Sequence, residues 1–256
     1  MDIAYQLYTS RKALPLVGQF SFLKGIGYDH IEVWPGAYQA DPKEFRKALD
    51  DAGLDAPSVL ISDPGETDDL GQFIDMAQIL GAGMIVRPGM PPHRRPKVQD
   101  GWKRLAERLS AEAVVAERAG LKFAWHNHDF EFTPLPDGSR PIDLLMGFSD
   151  PLVRLELDCG WVFQAGGDIA TELTRFAERI IAIHAKDAAP LGTTVEDGWT
   201  ALGDGVIDWP GLLPQIKATD AILAVVEHDE PADWQYVARR SFQSLSEILD
   251  GKRHRS

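Results

Sequence analysis

A repeated unit constrains this chain more than any other feature of its sequence. An amphipathic stretch ends in a glycine, and a short aliphatic or β-branched run follows: Gly27 before YDHIEVW, Gly53 before LDAPSVLIS, Gly81 before AGMIVRPG and Gly120 before LKFAWH. A glycine after a helix supplies the left-handed C-cap, and the run behind it is typical of a buried strand. The repeat therefore predicts helices and strands in alternation.

Eight apolar runs of this kind occur in the 256 residues. We predict strands near residues 3–8, 29–34, 56–61, 83–87, 121–127, 152–158, 180–185 and 222–228. Helical patterns such as QDGWKRLAERLSAEAVVAERAG separate them. Eight strand–helix units favour an α/β fold, a (β/α)₈ TIM barrel that occupies residues 1–256 as a single domain.

A doubly wound open sheet is the alternative architecture. Such a sheet usually carries a glycine-rich phosphate turn after its first strand, and QLYTSRKALP contains no such turn. No linker rich in Pro, Gly and Ser divides the chain. The segments 88–98 and 188–206 are predicted to be long strand-to-helix loops, which lie at the catalytic mouth of a barrel.

Composition excludes several functional classes. With 39 acidic and 26 basic residues the net charge is −13, which repels phosphate backbones and argues against a nucleic-acid partner. The single cysteine, Cys159, excludes an internal disulfide framework and a zinc site built from several thiolates. No apolar run reaches membrane-spanning length, and the first residues lack the layout of a secretory signal, so we expect a cytoplasmic protein with no membrane partner.

The stretch AWHNHDFEF, residues 124–132, concentrates polar groups at the end of the fifth predicted strand. Alternate side chains of an extended run point to one face, so His126 and His128 would project together. Such a pair is typical of metal binding or proton transfer. Alternatively, one histidine satisfies buried backbone groups and the other lies in a solvated loop.

The next three predicted strands end in Asp158, His184 and Glu227. Each could have an ordinary structural role, because an aspartate caps turns and a buried histidine bonds carbonyls. Together they place imidazole nitrogens and carboxylate oxygens at the mouth, where active sites of this fold lie. This donor set suits Mn²⁺, Mg²⁺, Co²⁺, Fe²⁺ or Zn²⁺, and the pattern predicts one divalent metal site, with Mn²⁺ as our first choice.

Further residues near the strand ends are candidates for contact with a substrate. Glu32 and Arg87 end the second and fourth strands, although a salt bridge is an alternative role for Arg87. Lys186 could hold a substrate oxygen or donate a proton, or could simply be solvated. The remaining candidates for substrate contact are Trp34 and Trp161, which could equally be core residues, and His228, directly after Glu227.

Several runs together resemble one family. They are IGYDHIEVW (with Ile26 where relatives usually have leucine), HNHDFEF, LELDCGWVFQAGGD, IHAKD, LGDGVIDWPGLL and VVEHDEP. They are similar to the xylose isomerase-like TIM barrels grouped as sugar phosphate isomerases/epimerases, and the resemblance spans essentially the whole chain. That superfamily includes ketose 3-epimerases, hydroxypyruvate isomerase, inosose dehydratase, 3-keto-glycoside lyases and, more distantly, endonuclease IV.

The resemblance implies one divalent ion held by a Glu, Asp, His and Glu from strands five to eight. Asp158, His184 and Glu227 match the last three. His126 stands where many relatives have glutamate, and His128 and Glu131 are the alternatives for the fourth ligand. Many relatives also have a substrate-binding histidine where this chain has Trp161, which indicates stacking against a sugar face.

Such a metal polarises a substrate carbonyl and stabilises the enediolate formed when the neighbouring carbon loses its proton. We predict an isomerase, an epimerase or a β-eliminating lyase acting on a keto-sugar, keto-glycoside or inosose, with Glu227 as base. His128, Glu131 and Lys186 are candidates to return or relay the proton. The alternative function is a non-catalytic barrel that binds a sugar or a metal. A repair enzyme similar to endonuclease IV is a more remote alternative. The sequence leaves open whether the protein forms a homo-oligomer.

Overall fold

A computed structural model describes residues 1–39, 41–62 and 70–251. Eight parallel strands form its centre. They are β1 (Asp2–Gln6), β2 (His30–Val33), β3 (Asp55–Leu60), β4 (Met84–Pro88), β5 (Lys122–His126), β6 (Val153–Asp158), β7 (Ile180–Ala185) and β8 (Leu223–Val226). Each bound lies within two residues of the corresponding prediction.

The strands close into a barrel in which each pairs with its neighbours in sequence and β1 pairs with β8. The closing pair is parallel and aligns Asp2 with Leu223 and Tyr5 with Val226. This pairing leaves the eight strands without an open edge, so the doubly wound sheet is excluded and the (β/α)₈ barrel is confirmed.

Helices separate the strands and form the outer layer. They are α1 (Phe20–Ile26), α2 (Pro35–Tyr38), α3 (Pro42–Ala52), α4 (Leu70–Leu80), α5 (Gln99–Arg118), α6 (Pro141–Phe148), α7 (Cys159–Gln164), α8 (Ile169–Arg175), α9 (Trp209–Lys217) and α10 (Trp234–Leu249). The four glycines that predicted helix ends all have positive φ, as the cap requires. No helix of the described residues combines the length and apolar character that crossing a bilayer demands.

The long segment after β7 is more ordered than the sequence pattern predicted. Asp187–Ala188 and Trp199–Thr200 pair as a two-stranded antiparallel ribbon. The Asp187 carboxylate accepts backbone N–H groups of Ala188 and Gly203 at 2.9 Å and of Gly205 and Ile207 at 3.3 Å. A buried carboxylate therefore ties the ribbon to the loop that precedes α9.

The barrel interior is divided into two layers. The layer toward the amino ends of the strands is apolar and includes Ala124, Ala182, Val225, Met84 and Val86. Polar side chains fill the layer toward the carboxyl ends: Gln6, Glu32, Ser58, His126, Glu156, Asp158 and His184 are all buried there. Buried polar groups are costly unless they are paired, so this second layer indicates that the functional site lies at the mouth of the barrel.

Candidate active site

Four side chains meet at the carboxyl end of the barrel: one each from β5, β6 and β7, and one from the residue directly after β8. His126, Asp158, His184 and Glu227 each offer one ligand atom, and these atoms lie within 4.8 Å of one another. All four side chains are buried. The spacing follows from strand register, because Asp158 lies beside His184 in adjacent parallel strands. The structure thus brings together the four residues that the sequence analysis assigned to the metal.

The atoms that face each other in this cluster are suited to a cation. His126 Nε2 and His184 Nδ1 each lie 3.9 Å from Asp158 Oδ2, and His184 Nδ1 lies 3.1 Å from Glu227 Oε2. Asp158 Oδ2 is buried and has no hydrogen-bond partner among the described residues. An unpartnered buried carboxylate oxygen is expensive, so its position between two imidazoles fits a bound divalent ion.

The local sequence fixes the two acidic donors in different ways. Asp158 ends β6 and begins α7, where its Oδ1 accepts the backbone N–H of Trp161 at 2.9 Å. One oxygen therefore caps the helix while the other faces the cluster. Burial raises the pKa of Asp158 to about 7. Burial would also raise the pKa of Glu227, but Lys186 and His184 hold it well below its ordinary value.

His126 is a neutral imidazole in this environment, since burial lowers its pKa to about 3. Its Nδ1 lies 3.0 Å from Glu156 Oε2, beneath the cluster. His184 Nε2 lies 2.8 Å from Glu32 Oε1 and 3.2 Å from Glu156 Oε2. Each histidine consequently has one nitrogen toward the cluster and the other toward a carboxylate of the barrel interior.

Lys186 lies beside the cluster and is buried. Its ammonium donates to Glu227 Oε2 at 3.1 Å and to Asp229 Oδ1 at 2.7 Å. It also lies 5.0 Å from the ring centre of Trp161 and 4.6 Å from that of Trp199, within the range of cation–π attraction. Glu227, Asp229 and Asp158 raise the pKa of Lys186 against the effect of burial, so the side chain is charged.

His128 and Trp161 form an aromatic part of the cavity wall. The His128 ring lies 5.2 Å from the His126 ring and 5.5 Å from the Trp161 ring, measured between centroids. On its other side it stacks on Phe130, at 6.2 Å. The expectation that His126 and His128 project together from the end of β5 is met, and the second histidine belongs to an aromatic wall.

A cavity of about 600 Å³ opens above the cluster, a size suited to a small-molecule ligand. It is lined by Tyr8, Arg11, Trp34, Pro35, Leu60, Ile61, Ser62, Pro88, His126, His128, Trp161, Lys186, Asp197, Glu227, Asp229 and Glu230. The two cationic side chains of this lining are both neutralised, since Arg11 pairs with Glu230 and Lys186 with Glu227 and Asp229.

Six of the predicted side chains line this cavity, namely His126, His128, Lys186, Glu227, Trp34 and Trp161. Six others are absent from its lining: Asp158 and His184 belong to the cluster beneath it, and the other four are Arg87, His228, Glu32 and Glu131. Arg87 is buried and pairs with Glu112 of α5 at 2.9 Å, the salt bridge that the sequence analysis gave as its alternative role. His228 is also buried, and its Nδ1 accepts the backbone N–H of Glu230 at 3.3 Å.

Glu32 and Glu131 are two further predicted site residues that do not line the cavity. Glu32 lies below the cluster, where it accepts hydrogen bonds from Gln6 and Ser58. Glu131 turns back into the fold and accepts the Trp125 indole N–H at 3.0 Å and the His128 backbone N–H at 2.9 Å. Both carboxylates therefore have protein partners and do not line the cavity, and Glu131 also lies outside the four-residue cluster.

Sequence reasoning missed Glu156, Asp229 and Asp197. A period-two pattern could have identified the first two, because Glu156 stands two residues before Asp158 and Asp229 two after Glu227, on the same faces. No sequence signal marks Asp197. It lines the cavity from a turn in which Glu196 and Asp197 both have positive φ, 50° and 56°.

A family model described as xylose isomerase-like TIM barrel matches residues 20–248 of the chain. The chain belongs to this family. The resemblance found in its sequence is thereby confirmed.

Known proteins support the same conclusion. The inosose dehydratase of Salmonella typhimurium strain LT2 is 28% identical over 224 residues, which cover 73% of this chain and 72% of that protein. A sugar phosphate isomerase/epimerase from Parabacteroides distasonis superposes with a TM-score of 0.79 at 19% identity, over 97% of this chain and 93% of that one. IOLI protein, crystallised with a zinc atom, superposes with a TM-score of 0.76 at 16% identity, over 99% of this chain and 100% of that one. The expectation of an enzyme is confirmed, and the two structures confirm the fold.

Proposed function

We propose that this protein is a divalent-metal-dependent enzyme that removes the proton beside the carbonyl of a keto-sugar, keto-glycoside or inosose and then expels a β-oxygen. The observation that carries the proposal is the buried cluster of His126, Asp158, His184 and Glu227, with its unpartnered carboxylate oxygen, at the base of a sugar-sized cavity. The inosose dehydratase relative and the zinc in IOLI protein support the same assignment.

His126, Asp158, His184 and Glu227 would hold the ion, with His126 as the fourth ligand. A divalent cation bound there would polarise the substrate carbonyl and offset the negative charge that develops when the adjacent carbon is deprotonated. Its identity is a further part of the proposal: two nitrogen and two oxygen donors suit Mn²⁺, and Zn²⁺ equally well.

Glu227 is the proposed base. Among the cluster residues it is the one carboxylate that also lines the cavity. Its pKa is held well below the ordinary value, so it is ionised and able to accept a proton. Lys186 donates to Glu227 and extends into the same cavity, where a fixed ammonium would stabilise charge that develops on a substrate oxygen.

The aromatic residues that line the cavity favour elimination over epimerisation. Epimerisation needs a second group that delivers a proton to the other face of the carbon, and two carboxylates on opposite faces would serve this purpose. His128 and Trp161 line the cavity beside the cluster, and burial keeps the pKa of His128 well below its ordinary value. A neutral imidazole and an indole orient a sugar ring but do not return a proton to carbon.

The cavity is suited to an unphosphorylated substrate. Arg11 and Lys12 both pair with Glu230, and Lys186 pairs with two carboxylates. A phosphate would therefore have to compete with these acidic groups. Trp34 and Trp161 supply aromatic surface for the apolar face of a sugar ring instead.

The proposal is tested by incubating the metal-loaded protein in D₂O with a panel of keto-sugars, keto-glycosides and inososes. NMR distinguishes exchange, epimerisation, isomerisation and elimination. We expect elimination, and we expect Glu227→Gln with metal restored to bind substrate but to lose at least about 100-fold in proton removal. If the metal-filled variant exchanged the proton at near the wild-type rate, another residue would be the base. If the wild type were inert toward the whole panel, a non-catalytic binding barrel would be favoured.

A further inference from the structure

We propose that Glu156 and Glu32 are positioning residues that determine which nitrogen of His126 and of His184 faces the metal. The inference rests on the metal site of the proposed function but concerns two carboxylates outside it. Glu156 Oε2 lies 3.0 Å from His126 Nδ1, and Glu32 Oε1 lies 2.8 Å from His184 Nε2. Each histidine therefore has a carboxylate partner on the side away from the cluster, and Glu156 Oε2 also lies 3.2 Å from His184 Nε2.

The pairing turns the nitrogen atoms that a cation needs toward the cluster. A neutral imidazole carries one N–H and one lone pair, and a carboxylate accepts the N–H. When a metal is bound, pairing of His126 Nδ1 and His184 Nε2 with carboxylates would direct the lone pairs of His126 Nε2 and His184 Nδ1 inward, toward the site where His184 Nδ1 now lies 3.1 Å from Glu227 Oε2. Both of these atoms lie 3.9 Å from the unpartnered Asp158 Oδ2. Two hydrogen bonds thus direct both ligand nitrogens toward the same position beside Asp158 Oδ2.

Glu32 is itself fixed in place. Gln6 donates to its Oε1 at 2.8 Å, and the Ser58 hydroxyl donates to its Oε2. These partners come from β1 and β3, the two strands that flank β2. A carboxylate held from both sides cannot rotate away from His184, so the orientation of the ring is determined by the barrel itself.

Glu156 has a similar but less complete set of partners. Its Oε2 lies near both histidines, 3.0 Å from His126 Nδ1 and 3.2 Å from His184 Nε2. Its Oε1 has no hydrogen-bond partner among the described residues. Filling the barrel does not explain such a side chain, since an apolar residue would fill the same space without the cost of a buried charge. Interaction with the two imidazoles does explain it.

The test compares Glu156→Gln and Glu32→Gln with Glu131→Gln, a matched control in which the altered buried carboxyl touches neither histidine. Glutamine keeps the shape but can also donate a hydrogen bond, so it no longer selects one tautomer. Histidine ¹⁵N NMR is recorded on the metal-free protein for His126 and on the Zn²⁺-loaded protein for both rings. Affinity for Zn²⁺ and Mn²⁺ is measured by chelator competition.

We expect the wild type and the control to show His126 protonated at Nδ1 and, with zinc, His184 protonated at Nε2. Glu156→Gln should give mixed tautomers at His126, and each of the two variants should bind metal about 10–100-fold more weakly. If both variants folded and kept the wild-type tautomers and the wild-type affinity for metal, the proposal would be overturned. If the wild type bound no divalent ion, the metal site would fail, while the His126 tautomer would still decide the role of Glu156. If Glu156→Gln did not fold, Glu32→Gln would test the same idea at His184.

Discussion

Glu131 shows that a buried carboxyl can shape the site without facing the substrate. It is fully buried, and its two oxygens accept the Trp125 indole N–H and the His128 backbone N–H. The turn that follows β5 is thereby folded back so that His128 reaches the cavity wall. Burial raises the pKa of Glu131 to about 8, although these donors oppose the shift.

The raised pKa predicts a pH-dependent stability. A folded-state pKa above the ordinary value means that the folded protein holds this proton more tightly than the unfolded chain. Below pH about 4.5 both states are protonated, and between about 4.5 and about 8 only the unfolded chain ionises, so stability falls as pH rises, by at most about 1.4 kcal/mol per pH unit. Glu131→Gln removes this slope.

Urea unfolding of the wild type and of Glu131→Gln at several pH values between 5 and 8 measures the effect. The variant loses one hydrogen-bond acceptor, which shifts its free energy of unfolding by an amount independent of pH. The free energy of unfolding of the variant, relative to that of the wild type, should therefore increase steadily as pH rises. Parallel curves would mean that Glu131 ionises in the folded protein at its ordinary pKa.

At the level of elements, the positions of the strands were predictable because two signals coincide. Each buried strand is a short aliphatic run, and a helix-capping glycine precedes several of them. β7, for example, was predicted at its observed bounds. Strand order then places Asp158 and His184 at one end without further information, since parallel neighbours with helical crossovers end on the same side.

Side-chain direction was not predictable in the same way. Glu32 and Arg87 end their strands as expected, yet Glu32 is drawn down to His184 and Arg87 outward to Glu112. The choice between a substrate and a protein partner depends on residues distant in sequence. The ribbon Asp187–Ala188 and Trp199–Thr200 was missed because two-residue strands carry no periodic signal.

The start of α7 packs directly against the end of β7, and this contact leaves no room for a side chain at Gly160. A Cβ there would lie 2.7 Å from the Lys186 carbonyl oxygen, 2.8 Å from the Trp199 ring and 2.9 Å from Lys186 Cβ. We expect Gly160→Ala to destabilise the protein by about 1–3 kcal/mol and to lower activity, because the methyl group displaces Lys186.

Gly147→Ala in α6 is the matched control, since a Cβ there meets nothing within 4 Å. Alanine is the better helix former, so this variant should be neutral or more stable by up to about 1 kcal/mol. Thermal unfolding and activity of the two variants are compared. Equal stability of both would show that α7 can shift away from β7 at little cost.

At the level of the whole molecule, the proposed metal ligands come from β5, β6, β7 and the end of β8. An ion bound by all four ligands binds the folded protein but not the unfolded chain, so it stabilises the folded state. At 100 times its dissociation constant the gain is about 2.7 kcal/mol, or roughly 5–10 °C in Tm for a chain of this size. Differential scanning calorimetry with and without Mn²⁺ or Zn²⁺ measures the shift.

Asp158→Asn is the control for this prediction. Asparagine also caps helices, so the hydrogen bond to the Trp161 N–H is retained while the charged ligand is lost. The variant should fold, and its metal-induced shift in Tm should be less than half that of the wild type. A full shift in Asp158→Asn would place the ion outside the cluster.

The two-layer interior has an evolutionary consequence. Three pairs of residues stand two apart along the chain at the strand ends: Ala124 and His126, Ala182 and His184, and Val225 and Glu227. The first member of each pair packs in the apolar layer, and the second faces the mouth. Mutation of the second member alters reactivity while the first continues to hold the barrel closed. Descendants of one ancestral sequence can therefore acquire new substrates by successive single substitutions at the mouth, with no intermediate that has to abandon its core.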